Sequence, residues 1–406
     1  MTSIGSLTEA LDCLFPSPQS VLKYIQNAKP FNVTAIGNPM KALVLGAGMM
    51  GKALAYDLKR NNFETVISDV DRKKAEEVAA YIRGESVCCD VTDEKAVLAL
   101  MKDCDVAVSA VPYFFNYQLA QSAAEAGCHF CDLGGNNNIV NQELSLHKKA
   151  AGNDVLIVPD CGLAPGMTNV IAALGIQETY AEEVHIRVGG LPQNPKPPLN
   201  YTLVFSVHGL LNEYKEPAVI IRNGRTQEVE SLTETEEIDF PPIGVLEAFQ
   251  TSGGTSTLPQ TYKGKLQELD YKTIRYKGHC AKIKALFDVG MCSEGLIEVG
   301  PCTVSPREVL SKVLEKTLPH QEKDMVLVRV TAKGETEKVY EMIDYYDESL
   351  NMTAMARTTA FPTSIIAQMM AKGTITERGA APPERVVPGR QFMEELKKRQ
   401  IIIHEK

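Results

Sequence analysis

The sequence predicts an α/β fold class: a doubly wound parallel sheet followed by an α+β domain with a mixed, mainly antiparallel sheet. Three observations predict it. From Lys41 onward, short apolar runs alternate with stretches of helical length, the rhythm of a parallel sheet covered on both faces. A glycine cluster, Gly46-Ala47-Gly48-Met49-Met50-Gly51, separates the first apolar run from the first helix. After about residue 165 the alternation gives way to longer, β-rich runs with few helices.

Taken in order, the apolar runs predict strands at Ala42–Leu45, Thr65–Ser68, Ser86–Cys89, Val106–Ala110, His129–Leu133 and Val155–Pro159, each short and β-branched or small in composition. Helices are expected between them at Met50–Lys59, Arg72–Ile82, Glu94–Met101, Asn116–Ala126 and Asn141–Ala151. A helix at Met167–Gln177 follows Pro165-Gly166. Strands are then expected at Val184–Val188, Tyr201–Phe205, Ala218–Ile221, Gln227–Ser231, Lys272–Tyr276, Met325–Ala332 and Lys338–Tyr346, with helices at Ala281–Gly290 and Pro306–Leu314. An apolar helix at Ser364–Lys372 is capped by Gly373, and a short one at Gln391–Lys398 follows. The expected division is an N-terminal extension (1–39), a nucleotide-binding domain (40–165), a substrate-binding and oligomerisation domain (166–350), and C-terminal helices returning to the first domain (351–406).

Composition narrows the function classes. The chain has 406 residues, 44% of them hydrophobic and 23% charged, which suits folded domains rather than disorder. A net charge of −9 argues against a general nucleic-acid or anionic-membrane binder. The longest mildly apolar stretch, Cys161–Ile176, is short and interrupted by Pro165 and glycines, so no membrane span is expected. No basic segment followed by an apolar core opens the chain, and the ten cysteines are scattered. A cytoplasmic protein with free thiols is therefore expected. Cys128 and Cys131 have CxxC spacing, but with no second pair they read as buried strand cysteines, and no metal is expected. The acidic run Glu228–Asp239 reads as a solvated hairpin.

The glycine cluster carries the chemistry. It lies between a strand and a helix, where the first Gly permits a tight turn, the second lets a diphosphate approach the backbone, and the third lets helix and strand pack closely. An acid, Asp69, ends the second strand, where a carboxylate accepts from both ribose hydroxyls and repels a 2′-phosphate. The combination predicts a Rossmann domain that binds NAD in preference to NADP. Further cofactor positions follow from the strand ends: Asp90 and Val91 beside the adenine, Ala110, Val111 and Pro112 on the nicotinamide side, and Leu133 at the turn after the fifth strand. Gly46, Gly48, Met49, Met50 and Gly51 form the phosphate loop.

Longer motifs carry a resemblance. The fingerprint, "AVPYFFNYQLAQSAAEAGCHFCDLGG" and "PDCGLAPGMTN" resemble the saccharopine dehydrogenase-type family of amino-acid oxidoreductases. "GGLPQNPKPPLNYTLVFSVHGLLNEYKEPAVIIRNG", "EAFQTSGGTSTL", "YKTIRYKGH" and "TAMARTTAF" are similar to its lysine 6-dehydrogenase branch. The resemblance runs from Met40 to about Lys398. It implies transfer of a hydride from the carbon bearing the ε-amine of lysine to NAD. Loss of ammonia then gives a semialdehyde that cyclises to a piperideine carboxylate. It also implies a homo-oligomer, a dimer or higher.

That reaction requires a proton acceptor for the ε-amine, a cationic anchor for the α-carboxylate and an acceptor for the α-ammonium. Arg275 is the expected anchor, and His279 is the side chain suited to proton transfer near neutral pH. Tyr201 and His208 are expected to line the pocket, and Tyr113 to pack near the nicotinamide. Asp132 and Asp160, at strand ends, are expected to accept from an ammonium. Thr255 and Ser256, in the run Thr251–Leu258, offer donors to a carboxylate. Two alternatives compete: a saccharopine reductase-type or polyamine-type dehydrogenase of the same group, and a non-catalytic NAD-binding protein. The resemblance implies an arginine-bearing run in saccharopine reductases where this chain has Ser252-Gly253-Gly254-Thr255, and an apolar residue where it has His279. Both differences favour a smaller, less anionic substrate.

Overall fold

A computed structural model of the chain describes residues 39–204, 206–319 and 322–406. The extension read at residues 1–39 lies, except for Pro39, outside them. The first half alternates β1 (Lys41–Leu45), α1 (Met49–Arg60), β2 (Glu64–Asp69), α2 (Arg72–Ile82), β3 (Glu85–Cys88), α3 (Glu94–Met101), β4 (Val106–Ser109), α4 (Asn116–Ala126), β5 (His129–Asp132), α5 (Asn137–Ser145), α6 (His147–Gly152) and β6 (Leu156–Val158). The single helix expected at Asn141–Ala151 is thus two. Asn136 starts α5 early by accepting from Asn138 N and Ile139 N, an N-cap bond that the apolar pattern does not reveal.

The second half contains α7 (Thr168–Thr179), β7 (Glu183–Pro192), α8 (Val207–Lys215), β8 (Ala218–Arg222), β9 (Arg225–Val229), β10 (Glu236–Phe240), β11 (Gly244–Gln250), α9 (Leu258–Thr261), β12 (Glu268–Arg275), α10 (His279–Asp288), β13 (Ile297–Val299), β14 (Cys302–Val304), α11 (Pro306–Thr317), β15 (Asp324–Lys333) and β16 (Glu337–Tyr345). It ends with α12 (Ala354–Ala371), β17 (Gly379–Ala380), α13 (Pro383–Val386), α14 (Gly389–Lys398) and β18 (His404–Glu405).

Three expectations need correction. The strand expected at Tyr201–Phe205, of which Phe205 lies outside the described residues, does not form: Leu203 N and Thr202 Oγ1 both donate to the Pro319 carbonyl, so this segment bonds to a loop rather than a ladder. The acidic run Glu228–Asp239 is not one solvated hairpin. Its ends belong to β9 and β10, which pair with β8 and β11 respectively, and Glu236 is tied to Arg187 at 2.5 Å and Lys272 at 2.8 Å. The helix expected at Ser364–Lys372 begins at Ala354, where Thr353 caps it by accepting from Ala356 N.

The first sheet has the order β17-β6-β5-β4-β1-β2-β3, and all its pairings are parallel. Successive residues of β1 point to opposite faces. Ala42 and Val44 join the core shared with α1 and α12, whereas Leu43 and Leu45 join the one shared with α3 and α4. The order reverses between β1 and β4, and it is outside the strand ends at such a switch point that ligands of open α/β sheets bind.

The second sheet runs β10-β11-β12-β7-β15-β16-β18, with β8 and β9 branching from β12. Its centre, β7, is parallel to β12 and antiparallel to β15. Val184, Ile186 and Val188 pack in the main core with α7. On the other face the sheet curls over on itself, so that Phe240, Leu246, Ile274 and Leu327 share a smaller core. Arg329 closes the curl by donating to the Asp239 carbonyl at 2.8 Å. The C-terminal helices lock onto α1, where Arg399 Nε donates to both Asp57 oxygens at 2.8 and 2.9 Å and Ser364 adds a 2.8 Å bond. Among the described residues no helix is long and apolar enough to cross a membrane.

Candidate active site

The glycine loop has the conformation its sequence requires. Gly46 has φ +101°, and a Cβ there would lie 2.8 Å from the Ala110 carbonyl oxygen. A Cβ on Gly51 would lie 1.8 Å from the Gly46 oxygen, so β1 and α1 approach as closely as backbone allows. Gly48 has nothing within 4 Å, which leaves open space in front of the α1 N-terminus. No side chain caps that N-terminus and no acid occupies its first turn. Its N–H groups and positive dipole end therefore remain available to a diphosphate. Ala110, Val111 and Pro112 follow β4 directly across the switch point, Leu133 follows β5, and Asp90 and Val91 follow β3. Asp69 ends β2 with Oδ2 accepting from Ala47 N at 2.7 Å and Oδ1 from Asp71 N at 2.8 Å. The crevice fits a dinucleotide on this geometry. Exposed Asp90 is held below the usual carboxylate range by the Thr92 amide and hydroxyl.

Behind the crevice the carboxylates are sealed rather than open. Asp132 and Asp160, expected to accept from an ammonium, are 0% and 1% exposed, and their bonds go to the protein. Asp132 Oδ1 accepts from Gly134 N at 2.6 Å and Asp160 N at 3.2 Å, which pins the turn after β5. Asp160 accepts from the Ser256 hydroxyl, which, with the Asp160 N bond to Asp132, fastens the loop after β11 to that turn. Burial, then the charge of Asp132, pushes the Asp160 carboxyl up to about 7. Glu143 on α5 faces Asp132, and burial together with that neighbour holds it well above its usual range. Buried Glu384 completes the group, accepting from Thr261 at 2.7 Å. The sequence reading missed Glu143 and Glu384, because each belongs to a helix whose local pattern says nothing about carboxylates across the fold. Thr255 serves the loop itself: its hydroxyl donates to Val219 O at 2.9 Å, and Asn169 Nδ2 donates to its carbonyl at 3.3 Å.

A second cluster lies on the β12 face covered by α8. Tyr271, Thr273 and Arg275 share that face by the period of two. Arg275 is 3% exposed. Its Nε donates to the Tyr214 hydroxyl at 2.9 Å and its Nη1 to the Ile274 carbonyl at 3.0 Å. The guanidinium lies 4.9 Å from the Tyr201 ring centroid, a cation–π contact. Among the described residues Arg275 forms no ion pair with a carboxylate, and Nη2 makes no hydrogen bond to the protein. The Tyr201 hydroxyl is buried without a partner, and burial pushes it up to about 12.

His279 is placed differently from the role expected of it. Its Nδ1–H donates to the Leu199 carbonyl at 3.0 Å, which leaves Nε2 to accept from the Tyr214 hydroxyl at 3.0 Å. Burial and the nearby Arg275 push its pKa down to about 3. It is a neutral ring with both nitrogens engaged, suited to orienting Tyr214 rather than to moving protons. Glu247 fixes it from below by accepting from Gly278 N and Cys280 N at 2.8 and 2.7 Å. The sequence reading also missed Glu213 on α8, whose Oε1 accepts from Thr273 at 2.8 Å and Thr251 at 3.3 Å. Burial raises its carboxyl, and Arg275 offsets part of that rise.

His208 and Met49 both line a cleft of about 520 Å³, together with Thr202, Val207 and Thr353. The cleft thus joins the glycine loop to the segment that follows Tyr201. Tyr113 packs against Gly135, where a Cβ would meet its side chain at 3.0 Å. Cys128 and Cys131 are buried free thiols. Among the described residues no group of three or more potential metal ligands is found.

Comparison with known proteins agrees with this arrangement. Residues 42–158 match the family model of the saccharopine dehydrogenase NADP binding domain, and residues 162–402 that of the saccharopine dehydrogenase C-terminal domain. Saccharopine dehydrogenase (NADP(+), L-glutamate-forming) of Schizosaccharomyces pombe is 25% identical over 268 residues, 62% of this chain and 58% of its own length. The mitochondrial alpha-aminoadipic semialdehyde synthase of Mus musculus is 22% identical over 445 residues, 89% of this chain and 47% of its own. The chain therefore spans about three-fifths or less of these curated relatives. Apo saccharopine dehydrogenase (L-Glu forming) from Saccharomyces cerevisiae superposes with a TM-score of 0.75 over 90% of this chain and 99% of that one, at 19% identity; it shares the fold. With both family domains matched in sequence order, and a glycine crevice and β-rich half built as described, the chain belongs to the saccharopine dehydrogenase family.

Proposed function

We propose that the chain is a cytoplasmic, homo-oligomeric oxidoreductase that removes the ε-amino group of L-lysine oxidatively, with NAD as the acceptor. The observation that carries this reading is Arg275: among the described residues, a buried guanidinium without a carboxylate partner, beside a buried tyrosine hydroxyl without a partner. An unpaired buried charge is costly, so a substrate carboxylate completes the site. The buried ionisable groups of the two clusters are otherwise mostly acids: Glu213 beside Arg275, and Asp160, Asp132 and Glu143 behind the crevice. One carboxylate and two amines suit that balance better than a tricarboxylic adduct of lysine and glutamate.

Bound in the crevice, a nicotinamide dinucleotide supplies the hydride acceptor. The chain's residues supply the rest. Arg275 and Tyr201 take the α-carboxylate. Asp160, held near 7, is matched to receive the ε-ammonium proton at neutral pH by way of the Ser256 hydroxyl that donates to it. Loss of hydride from the ε-carbon of the neutral amine leaves an iminium. Water adds to its carbon, ammonia leaves as ammonium, and the resulting 6-semialdehyde closes on the α-amine with loss of water to give piperideine-6-carboxylate. Asp69 supports NAD, since a carboxylate against the ribose disfavours a 2′-phosphate.

The test is NADH formation and ammonium release with L-lysine and NAD, run beside saccharopine with NAD and with NADP. Lysine-dependent signal with NAD is expected. Silence with lysine and a strong signal with saccharopine would favour the second reading, a saccharopine dehydrogenase-type activity, which the NADP-linked names of the relatives support. Size-exclusion chromatography with light scattering tests the oligomer.

A further inference from the structure

Glu213 has no part in the proposed hydride and proton transfers. Its environment is nonetheless constructed. Oε1 accepts from two threonine hydroxyls, Thr273 and Thr251, which themselves share a 2.7 Å bond. Oε2 makes no hydrogen bond among the described residues, yet it is not among the sealed atoms. Glu213 therefore keeps partial exposure although protein surrounds it on every side. That oxygen, Oε2, is left open to a donor. Arg275 is held close by: Tyr214, the residue after Glu213 on α8, accepts from its Nε, and Thr273, two residues before it on the same β12 face, donates to Glu213, yet among the described residues the Arg275 and Glu213 side chains do not pair. Two opposite charges held close without pairing suit a ligand that carries both signs on adjacent atoms.

We infer that Glu213 and Arg275 are the two poles of a receptor for the zwitterionic head of an α-amino acid, with Glu213 accepting from the α-ammonium while Arg275 holds the α-carboxylate. The inference rests on the reading that this site takes an amino acid, and it adds the residue that makes the α-amine obligatory. Tyr214 and His279 hold Arg275 in its orientation through the Nε bond, and the threonine pair holds Glu213. Amines lacking a carboxylate and carboxylates lacking an α-amine each satisfy one pole only and leave the other charge buried and unpaired.

The experiment compares ligands that differ by one group, on the NAD-saturated wild type and the Glu213→Gln variant. L-lysine has both head groups and the ε-amine, 6-aminohexanoate lacks the α-amine, and L-norleucine has the head but no ε-amine. Affinities come from titration calorimetry, and KM and kcat from NADH formation. Glu213→Gln is expected to weaken L-lysine and L-norleucine by roughly 10- to 100-fold, the range for one hydrogen bond to a charged group, and to leave 6-aminohexanoate within about twofold. The rise should fall on KM rather than kcat. An equal change for all three ligands, or no change for lysine, overturns the inference. If Glu213→Gln does not fold, Glu213→Asp carries the same comparison with a smaller expected split of the same sign, and equal effects there overturn it as well. The two readings separate cleanly. Head-dependent norleucine binding without lysine turnover sinks the proposed reaction alone, and lysine turnover with equal use of 6-aminohexanoate sinks this inference alone.

Discussion

Replacing Arg275 by lysine tests the anchor most directly. The change keeps the positive charge and removes the fork. The 2.9 Å bond from Nε to Tyr214 and the 3.0 Å bond from Nη1 to Ile274 O both depend on it, and so does any two-point grip on a carboxylate. Tyr214 keeps its bond to His279 Nε2, so the loss centres on the ligand side. One charge-assisted hydrogen bond to a buried carboxylate contributes about 1.5–3 kcal/mol, which converts at about 1.4 kcal/mol per decade to roughly 10- to 150-fold in kcat/KM. The assay is steady-state NADH formation over a range of L-lysine concentrations, with NAD affinity and melting temperature as controls. Most of the loss should appear in KM. A variant that melts and binds NAD like the wild type and keeps kcat/KM for lysine within about twofold would refute the anchor role of Arg275.

Other outcomes follow from the same geometry. Asp69→Ala should weaken NAD and raise the relative use of NADP by about tenfold or more, since it removes a carboxylate that accepts from the ribose and repels a 2′-phosphate; initial rates with both nucleotides check it, and an unchanged ratio would release Asp69 from that role. The pH dependence should follow Asp160. Its carboxyl is raised to about 7, so it is protonated below that pH and unable to accept, and kcat/KM should climb as pH rises through about 7. Asp160→Asn should lower the rate and abolish that limb. The paired glycine variants Gly48→Ala and Gly51→Ala should separate binding from packing. The first meets open space and should keep its melting temperature while losing dinucleotide affinity. The second drives a Cβ into the Gly46 carbonyl and should lose about 1–3 kcal/mol of stability, read by thermal melting.

The first sheet was legible because its signals are local. Each strand is a short apolar run with its helix beside it, and the phosphate loop is six consecutive residues. The second sheet was only partly legible, because its neighbours come from far along the chain: β7 lies between β12 and β15. β10 was hidden by acids that look solvated in the sequence and are paired in the fold, as Glu236 is with Arg187 and Lys272. Arg275 could be singled out because its motif resembles a known one. Glu213 could not, since its meaning depends on α8 crossing the β12 face, and nothing in "NEYKEP" announces a partner on another element. His279 was found by residue type, but its chemistry depended on Leu199 and Tyr214, both invisible to spacing.

The order in which the chain is synthesised gives the short strands near its end a weight beyond their length. β17 completes the first sheet beside β6, and β18 completes the second beside β16, while α12 and Arg399 reach back to α1. A nascent chain that has made all of β1 to β6 still exposes the β6 edge, along with the apolar surface of α1 that α12 covers in the finished protein. Such edges pair readily with other chains. The nucleotide-binding half is therefore made before the β-rich half and is among the last parts to be finished. A chain stopped short of residue 379 should accumulate as an aggregate rather than as a smaller nucleotide-binding protein.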